Sequence, residues 1–302
     1  MIESPNLAQP PVLPPSSFTG ALSTTRLAED DKRELLQFLA ERPLHNVVMA
    51  GLVRDNGVES KFHRGTFFGC RNAVGELEGV ALIGHAVFID ARRDEALQQF
   101  AKLTQQYPGA HMLLGEHESI ERFWKYYAPK GQPKHRCCRE VLFELNRQPA
   151  QTDDAPGLRV AQISDLSRVV PIHATMAFEE SGVNPLQVDA DGFRQRCRRR
   201  IEERRTWILI EQNQLVFKAD VISETPEVIY IEGVYVHPEY RGQGHGSRCM
   251  AQLSRMLLHR TRSISLLVNQ ERRPAQEFFK HLGFVSRGIY DTIFLRAQTK
   301  TF

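Results

Sequence analysis

One stretch, residues 228 to 247, restricts the possible fold more than any other part of the chain. It begins with Val-Ile-Tyr-Ile-Glu-Gly-Val-Tyr-Val, whose β-branched and aromatic residues predict a strand that is largely covered. Pro238 ends this strand, because proline cannot donate to a sheet ladder. Gly242, Gly244 and Gly246 then open a run whose apolar residues recur at helical spacing. A strand, a glycine-rich loop and a helix in this order favour phosphate binding, because the helix N-terminus presents unpaired N–H groups.

Two familiar phosphate-binding loops do not match this stretch. The nucleoside-triphosphate loop needs a lysine after its last glycine, and none is present here. The dinucleotide fingerprint is Gly-x-Gly-x-x-Gly, whereas these glycines are spaced Gly-x-Gly-x-Gly. An ordinary turn without a ligand is the alternative. Arg241 and three glycines between a strand and a helix argue against that alternative.

The string Val-x-Pro-x-x-Arg-Gly-x-Gly-x-Gly resembles the acyl-CoA pyrophosphate loop of the GNAT superfamily of N-acetyltransferases. The resemblance covers residues 158 to 295. It implies an α/β fold in which helices flank a twisted mixed sheet and a central strand splays from its parallel neighbour. It also implies acetyl-CoA as acyl donor, a primary amine as acceptor, direct transfer between them, and no metal.

The resemblance assigns the cofactor contacts to the central strand and to the loop after it. Val234, Tyr235 and Val236 would face the pantetheine arm. The residues that would face the pyrophosphate are Arg241, Gly242, Gln243, Gly244, His245, Gly246 and Ser247.

The reaction needs a base, because a protonated amine cannot attack a thioester. Strand parity predicts that Tyr230, Glu232, Val234 and Val236 share one face. Glu232 is the only carboxylate there, and many members of the family use a glutamate on this strand. We therefore expect Glu232 to be the base. The alternative is an ion pair between Glu232 and Lys218 or an arginine.

Other positions near the expected site offer further candidates or depart from the family's pattern. Glu179 and Glu180 form a second candidate pair of bases, unless they belong to a solvated helix end. The family often has a tyrosine as general acid where this chain has Phe279, and an asparagine where it has Arg272. Tyr290, on the last strand, is the candidate replacement acid or acceptor-site hydroxyl. Its alternative is an ordinary sheet residue with its hydroxyl at the surface.

The chain also contains an internal repeat. The order strand, helix, strand, helix, strand occurs twice, offset by about 150 residues, which is near the size of one domain. The first copy has Asp90-Ala-Arg-Arg-Asp-Glu where the second has its glycine loop, so we expect no ordinary CoA binding there. We predict a tail at 1–24, a degenerate GNAT-like domain at 25–148, a linker at 149–157 and a GNAT acetyltransferase domain at 158–302.

Composition excludes several other classes of protein. The 302 residues carry a net charge of +3, too small to indicate a nucleic-acid partner. No apolar run approaches the ~20 residues of a membrane span. Five cysteines, an odd number, without an export signal are typical of the cytoplasm. The chain could be a monomer or a homodimer.

Two functions remain open at this point. The first is an acetyl-CoA-dependent N-acetyltransferase. The second is a non-catalytic acyl-CoA-binding or regulatory interaction protein, which Phe279, Arg272 and the altered first copy would suit.

Overall fold

The computed structural model describes residues 21–149 and 153–296, and within them twelve strands form one mixed sheet. The strands are β1 (Ser23–Arg26), β2 (Gly65–Arg71), β3 (Leu77–Gly84), β4 (Ala86–Ala91), β5 (Met112–Glu116), β6 (Lys134–Leu145), β7 (Arg159–Val160), β8 (Thr206–Glu211), β9 (Gln214–Glu224), β10 (Val228–Val236), β11 (Ser263–Asn269) and β12 (Val285–Leu295). The α-helices are α1 (Lys32–Ala40), α2 (Pro43–Asn56), α3 (Asp94–Thr104), α4 (His117–Tyr127), α5 (Leu166–Ser181), α6 (Pro185–Val188), α7 (Ala190–Glu202), α8 (His245–Leu258) and α9 (Arg273–His281).

The repeat predicted from the sequence is present as β4–α3–β5–α4–β6 and β10–α8–β11–α9–β12. In each copy the first two strands are parallel neighbours, whereas the other strand pairs of the described sheet are antiparallel. The predicted α/β class with a mixed sheet is therefore confirmed. The short helix α6 was missed, since four residues are too few for a helical pattern.

The last strands of the two copies are exchanged. Strand β6 of the amino-terminal half pairs with β11, and β12 of the carboxy-terminal half pairs with β5. Strands β6 and β12 also pair with each other, from Val285 opposite Glu144 to Leu295 opposite Lys134. The sheet therefore runs without a break through both halves, and each half is completed by a strand of the other.

The structure modifies the predicted tail and describes part of the predicted linker. Residues 1–20 lie outside the described residues, but Ser23 and Thr24 belong to β1 and pair with β2, so the predicted tail extends too far. Residues 150–152 also lie outside the described part. In the adjoining segment Ala155 is buried, and its N–H donates to Gln252 Oε1 at 2.7 Å. That segment thus packs on α8.

Helices cover both faces of the sheet. On one face, α3 and α4 cover the amino-terminal half and α8 and α9 the carboxy-terminal half, each over its own hydrophobic core. The other face carries α1 and α2 together with α5 and α7. None of the helices in the described part has the length and apolar character to cross a membrane.

Helix α2 belongs to the amino-terminal half but extends onto strands of the other half. Val47 of α2 packs with Val228 and Tyr230 of β10, and its carbonyl accepts a hydrogen bond from Ser223 Oγ of β9. The approach is close at Gly51, where a Cβ would lie 1.8 Å from Ser223 Oγ. The two halves are therefore joined on this face as well as through the exchanged strands.

This close approach predicts the effect of a side chain at Gly51. Gly51→Ala should lower the free energy of unfolding by about 1–3 kcal/mol, because the new methyl group displaces α2 from β9. In an unobstructed helix the same change would stabilise by about 1 kcal/mol. The loss should be smaller in a Ser223→Ala background, where the obstructing oxygen is gone. Urea unfolding of both single variants and the double variant measures this coupling, and equal losses in both backgrounds would contradict it.

Candidate active site

The predicted splay lies between β10 and β11. These parallel strands pair only from Val228 opposite Ser263 to Tyr230 opposite Ser265. Both strands continue beyond this point, to Val236 and Asn269, without further pairing to each other. A gap therefore opens toward the carboxyl ends of the two strands.

A β-bulge in β10 changes which side chains face this gap. Gly233 adopts φ +62°, and the register with β9 shifts between Glu232 and Tyr235. Tyr235 consequently packs on the α5 side, with Glu232, whereas Val234 and Val236 pack on the side of α8. The parity expected from the sequence is wrong beyond Glu232, because the bulge adds one residue to this strand.

A buried charge network lies beneath the bulge. Lys218 is fully buried; its Nζ donates to the Gly233 carbonyl at 3.2 Å and pairs with Asp220. Arg200 lies 3.3 Å from the same carboxylate. Burial alone would raise the pKa of Asp220, but the Lys218 and Arg200 cations hold it well below its usual range. Lys218 is therefore paired within this network and does not form the alternative ion pair with Glu232. Within the described chain, no cation lies at salt-bridge distance from Glu232.

The network predicts that Lys218 has a large effect on stability. Lys218→Met should lower the free energy of unfolding by about 3–5 kcal/mol, because it removes one member of a buried charge cluster. Lys280→Met is the control, since Lys280 forms an exposed pair with Glu277 and should cost at most about 0.5 kcal/mol. Denaturant unfolding compares the two variants. Similar losses would mean that the network does not support the bulge.

The gap between β10 and β11 continues into a cavity of about 880 Å³. Eight of the ten predicted cofactor residues line it, namely Val234, Tyr235, Val236, Arg241, Gly242, Gly244, Gly246 and Ser247. The other two side chains are engaged elsewhere. Gln243 Nε2 donates to the Glu239 carbonyl at 2.6 Å, and His245 Nδ1 lies 3.5 Å from Glu211.

The loop at the end of this cavity has the geometry of an anion site. Gly242 and Gly244 have φ values of +75° and +82°, which favour glycine, and a Cβ at either position would meet nothing within 4 Å. Gly244 caps α8, so the first amides of that helix face the open side of the loop. Arg241 Nε donates to the Val236 carbonyl at 3.0 Å and folds the loop back on β10. The residues present therefore fit a diphosphate.

A second cavity, of about 500 Å³, adjoins the first and shares Met176, Val234 and Phe279 with it. We call it the junction cavity, because both halves of the chain line it. The amino-terminal half contributes Met112, Leu114, Arg136, Cys138 and Glu140. Glu180 and Glu232, from the carboxy-terminal half, line it too, so the cavity contains carboxylates from α5, β6 and β10.

The carboxylates of the junction cavity have raised pKa values. Burial, followed by the charge of Glu232, raises the pKa of Glu140 to about 7. Burial and the charges of Glu232 and Glu140 raise the pKa of Glu180 to about 8. Enclosure by the cavity walls raises the pKa of Glu232, against the Arg200 cation and the Tyr230 hydroxyl, although the residue remains exposed to the open cavity. Glu140 and Glu180 can therefore exchange protons near neutral pH.

The structure separates the two other candidates on α5 and β12. Glu179 pairs with Arg272 at 2.8 Å, whereas Glu180 lines the junction cavity from the last turn of α5, where the residue is exposed to solvent. Tyr290 does not line either cavity. Its hydroxyl lies 2.7 Å from His45 Nδ1 in a separate cavity of about 40 Å³, so the geometry does not support it as the general acid. The cause is the strand exchange, which moves β12 into the amino-terminal half.

The corresponding gap in the amino-terminal half is closed by ion pairs. Strands β4 and β5 pair only from Ala86 to Phe88, as their counterparts do. Beyond that point Arg42 bridges Asp90, at 2.8 Å, and Glu116. Asn46 Nδ2 also donates to Asp90 at 2.6 Å. Since polar side chains fill the gap, the described residues of this half leave a cavity of about 40 Å³ at the matching place, too small for a cofactor.

Sequence reasoning missed Glu140 as a member of the site. Its strand was predicted, but its place beside β11 follows from the exchange of β6 and β12, for which the sequence carries no local signal. His173 was also missed. It lines the junction cavity and lies 3.4 Å from Asp220, and burial lowers its pKa to about 4. In the described ranges no group of three or more His, Cys, Asp or Glu side chains is arranged to hold a metal ion.

The raised pKa of Glu140 predicts a pH-dependent effect on stability. A carboxyl group with a pKa of about 7 in the folded protein and 4.5 when unfolded stabilises the fold at low pH, and this contribution is lost as pH rises toward 7. Glu140→Gln has no carboxyl group at this position, so its stability should not show this loss as pH rises. The free energy of unfolding of the variant relative to wild type should therefore increase by up to about 3 kcal/mol between pH 4 and pH 8. Urea titrations across this range measure it, and a constant difference would contradict the shifted pKa.

Comparisons with known proteins agree with this geometry. The model of the acetyltransferase (GNAT) family matches residues 175–284, which include β10, the glycine loop and α8. No curated protein sequence matches the chain significantly. Residues 175–284 therefore form a domain that matches the GNAT acetyltransferases, a class of acyltransferases.

Solved structures share the fold over nearly the whole chain. A GNAT-family acetyltransferase from Colwellia psychrerythraea is similar at 13% identity and a TM-score of 0.56, covering 91% of this chain and 100% of that one. A tandem GNAT protein from the clavulanic acid biosynthesis pathway has 13% identity, a TM-score of 0.57 and coverage of 92% and 100%. A Drosophila protein has 11% identity, a TM-score of 0.67 and coverage of 91% and 99%. The likeness concerns the fold.

Proposed function

We propose that this protein is an N-acetyltransferase that transfers an acetyl group from acetyl-CoA to a primary amine. The observation that carries the proposal is the continuity between the glycine loop, the gap between β10 and β11, and the junction cavity. A diphosphate on the loop would lie at one end of this path, and an acceptor in the junction cavity at the other. Acetyl-CoA, when bound, supplies the activated acyl group.

The chain's own residues would divide the work of binding. The first amides of α8 and the Arg241 guanidinium provide positive charge for the diphosphate. Below them, the unpaired edge of β10 offers backbone N–H groups beside Val234 and Val236 for the pantetheine arm and the thioester oxygen. The Gly233 bulge, held by Lys218, sets the direction of this edge.

Glu232 is the proposed base. It lies in the junction cavity next to the end of the β10–β11 pairing, without a salt bridge in the described chain. The ammonium proton of the acceptor passes to Glu232, and the nitrogen electron pair forms the C–N bond. The C–S bond breaks, and the sulfur takes the second nitrogen proton. Phe279 lines both cavities and cannot donate a proton, so the thiolate leaves without a tyrosine at that position.

The cofactor part of this proposal is tested at the glycine loop. Gly244→Glu should weaken CoA binding by at least about a hundredfold, because like-charge juxtaposition with the pyrophosphate costs several kcal/mol. Gly75→Glu is the matched control, since Gly75 has a similar φ of +89° and open space around it in a distant turn. Calorimetric titration with CoA compares the variants. Unchanged affinity of Gly244→Glu would remove the proposed cofactor site.

The transfer itself is tested by release of free thiol from acetyl-CoA in the presence of a panel of primary amines. We expect release that depends on the acceptor and is reduced in Glu232→Gln. CoA binding without acceptor-dependent release from any amine would favour the second function, a non-catalytic acyl-CoA-binding protein.

A further inference from the structure

The amino-terminal half places one carboxylate in the junction cavity. Glu140 lies on β6, opposite Asn269 of β11 on one side and Tyr290 of β12 on the other. Its side chain lines the cavity that also holds Glu232, and the residue is only 9% exposed. The strand exchange thus puts a side chain from outside the matched GNAT segment into the proposed acceptor site.

Only one oxygen of the Glu140 carboxylate has a hydrogen-bond partner among the described residues. Thr292 Oγ1 donates to Glu140 Oε2 at 2.6 Å, which fixes the rotamer. Among the residues that the structure describes, no lysine, arginine or histidine pairs with Glu140. One carboxylate oxygen is therefore oriented by the protein, and the other has no partner of its own there. A buried carboxylate of this kind is costly unless a cation or a proton joins it.

The position that matches Glu140 in the other copy is Tyr290, whose hydroxyl group has a hydrogen-bond partner within the protein. Tyr290 occupies on β12 the place that Glu140 occupies on β6, and it pairs with Glu116 as Glu140 pairs with Asn269. There, the Tyr290 hydroxyl meets His45, and Arg42 neutralises the nearby carboxylates. One copy therefore satisfies its polar groups internally, whereas the other leaves a carboxylate exposed to a cavity.

The charges lining the junction cavity favour a cation. It is lined by the carboxyl groups of Glu140, Glu179, Glu180, Glu232 and Glu271 and by the guanidinium groups of Arg136 and Arg272. Arg272 is already paired with Glu179. The remaining lining groups are four carboxyl groups and one guanidinium group, so acidic groups are in excess.

We propose that Glu140 is a catalytic residue that binds the ammonium group of the acceptor beside Glu232, so that the amino-terminal half completes the active site. This inference rests on the proposed function for its role in transfer. During transfer, Glu140 accepts a hydrogen bond from the ammonium group and fixes the position of the acceptor nitrogen. Glu232 takes a proton from that nitrogen. The acceptor is then an alkylammonium compound that enters in its charged form.

The test uses the full chain saturated with CoA, so that binding is measured without transfer. Calorimetry with butylammonium should show Glu140→Gln binding about ten- to a hundredfold more weakly than wild type, the usual range for a hydrogen bond to a charged group. Glu144→Gln is the matched control. Glu144 lies on the same strand but pairs with Arg287 outside the cavity, and this variant should bind as wild type does. The neutral analogue 1-butanol should not distinguish the three proteins.

The measurement separates the outcomes. The proposal is overturned if wild type does not prefer butylammonium to 1-butanol, or if Glu140→Gln and Glu144→Gln bind it equally well. It is supported if only Glu140→Gln loses affinity for butylammonium while all three proteins bind CoA equally. If that pattern appears but no amine releases thiol from acetyl-CoA, the binding role of Glu140 stands and the transferase proposal fails. With an active acceptor, Glu140→Gln should raise KM for the amine more than it lowers kcat.

Discussion

The pairing of β6 with β12 at the centre of the sheet is the interaction on which the rest of this structure depends. These strands pair along most of their length, and each also forms the next neighbour of a strand from the other half. Neither half has a complete sheet of its own. Because a buried strand must satisfy its backbone groups on both edges, removing either strand would leave its neighbours unpaired in the interior. The two copies are therefore one cooperative structure, reinforced on the opposite face by α2 against β9.

The exchange also decides the composition of the candidate active site. In a closed carboxy-terminal domain, Tyr290 would stand next to β11. In this chain Glu140 stands there instead, and Tyr290 is moved to the other copy, where it meets His45. An exchange of strands between two copies that have diverged in sequence therefore alters the chemistry of both sites. One site acquires a carboxylate that has no cation partner in the described chain, and the other acquires a phenol that completes a polar cluster.

The two gaps show how similar backbones reach opposite results. In each copy a parallel pair separates after three paired positions. In the amino-terminal copy, Arg42 crosses the gap and binds carboxylates of both strands, which leaves a cavity of about 40 Å³. In the carboxy-terminal copy, no ion pair within the described chain crosses the gap. Lys218 of β9 instead donates to the Gly233 carbonyl of the bulge, and the gap opens into the cavity of about 880 Å³. The ion pairs of Arg42 across the gap thus distinguish the closed copy from the open one.

The sequence by itself determined the order of the elements and the loop, because these depend on local patterns. The mixed sheet and the splayed pair were implied by the resemblance to the GNAT superfamily. Pro238 ends a strand, and the glycines at 242 and 244 adopt positive φ values that other residues rarely tolerate. Only the tertiary structure decided the rest. The bulge at Gly233 reversed the expected faces of Val234 and Val236, and the strand exchange removed Tyr290 from the site and brought in Glu140. Local patterns do not record which strand lies beside which, since that choice is set by burial and pairing across residues far apart in the chain.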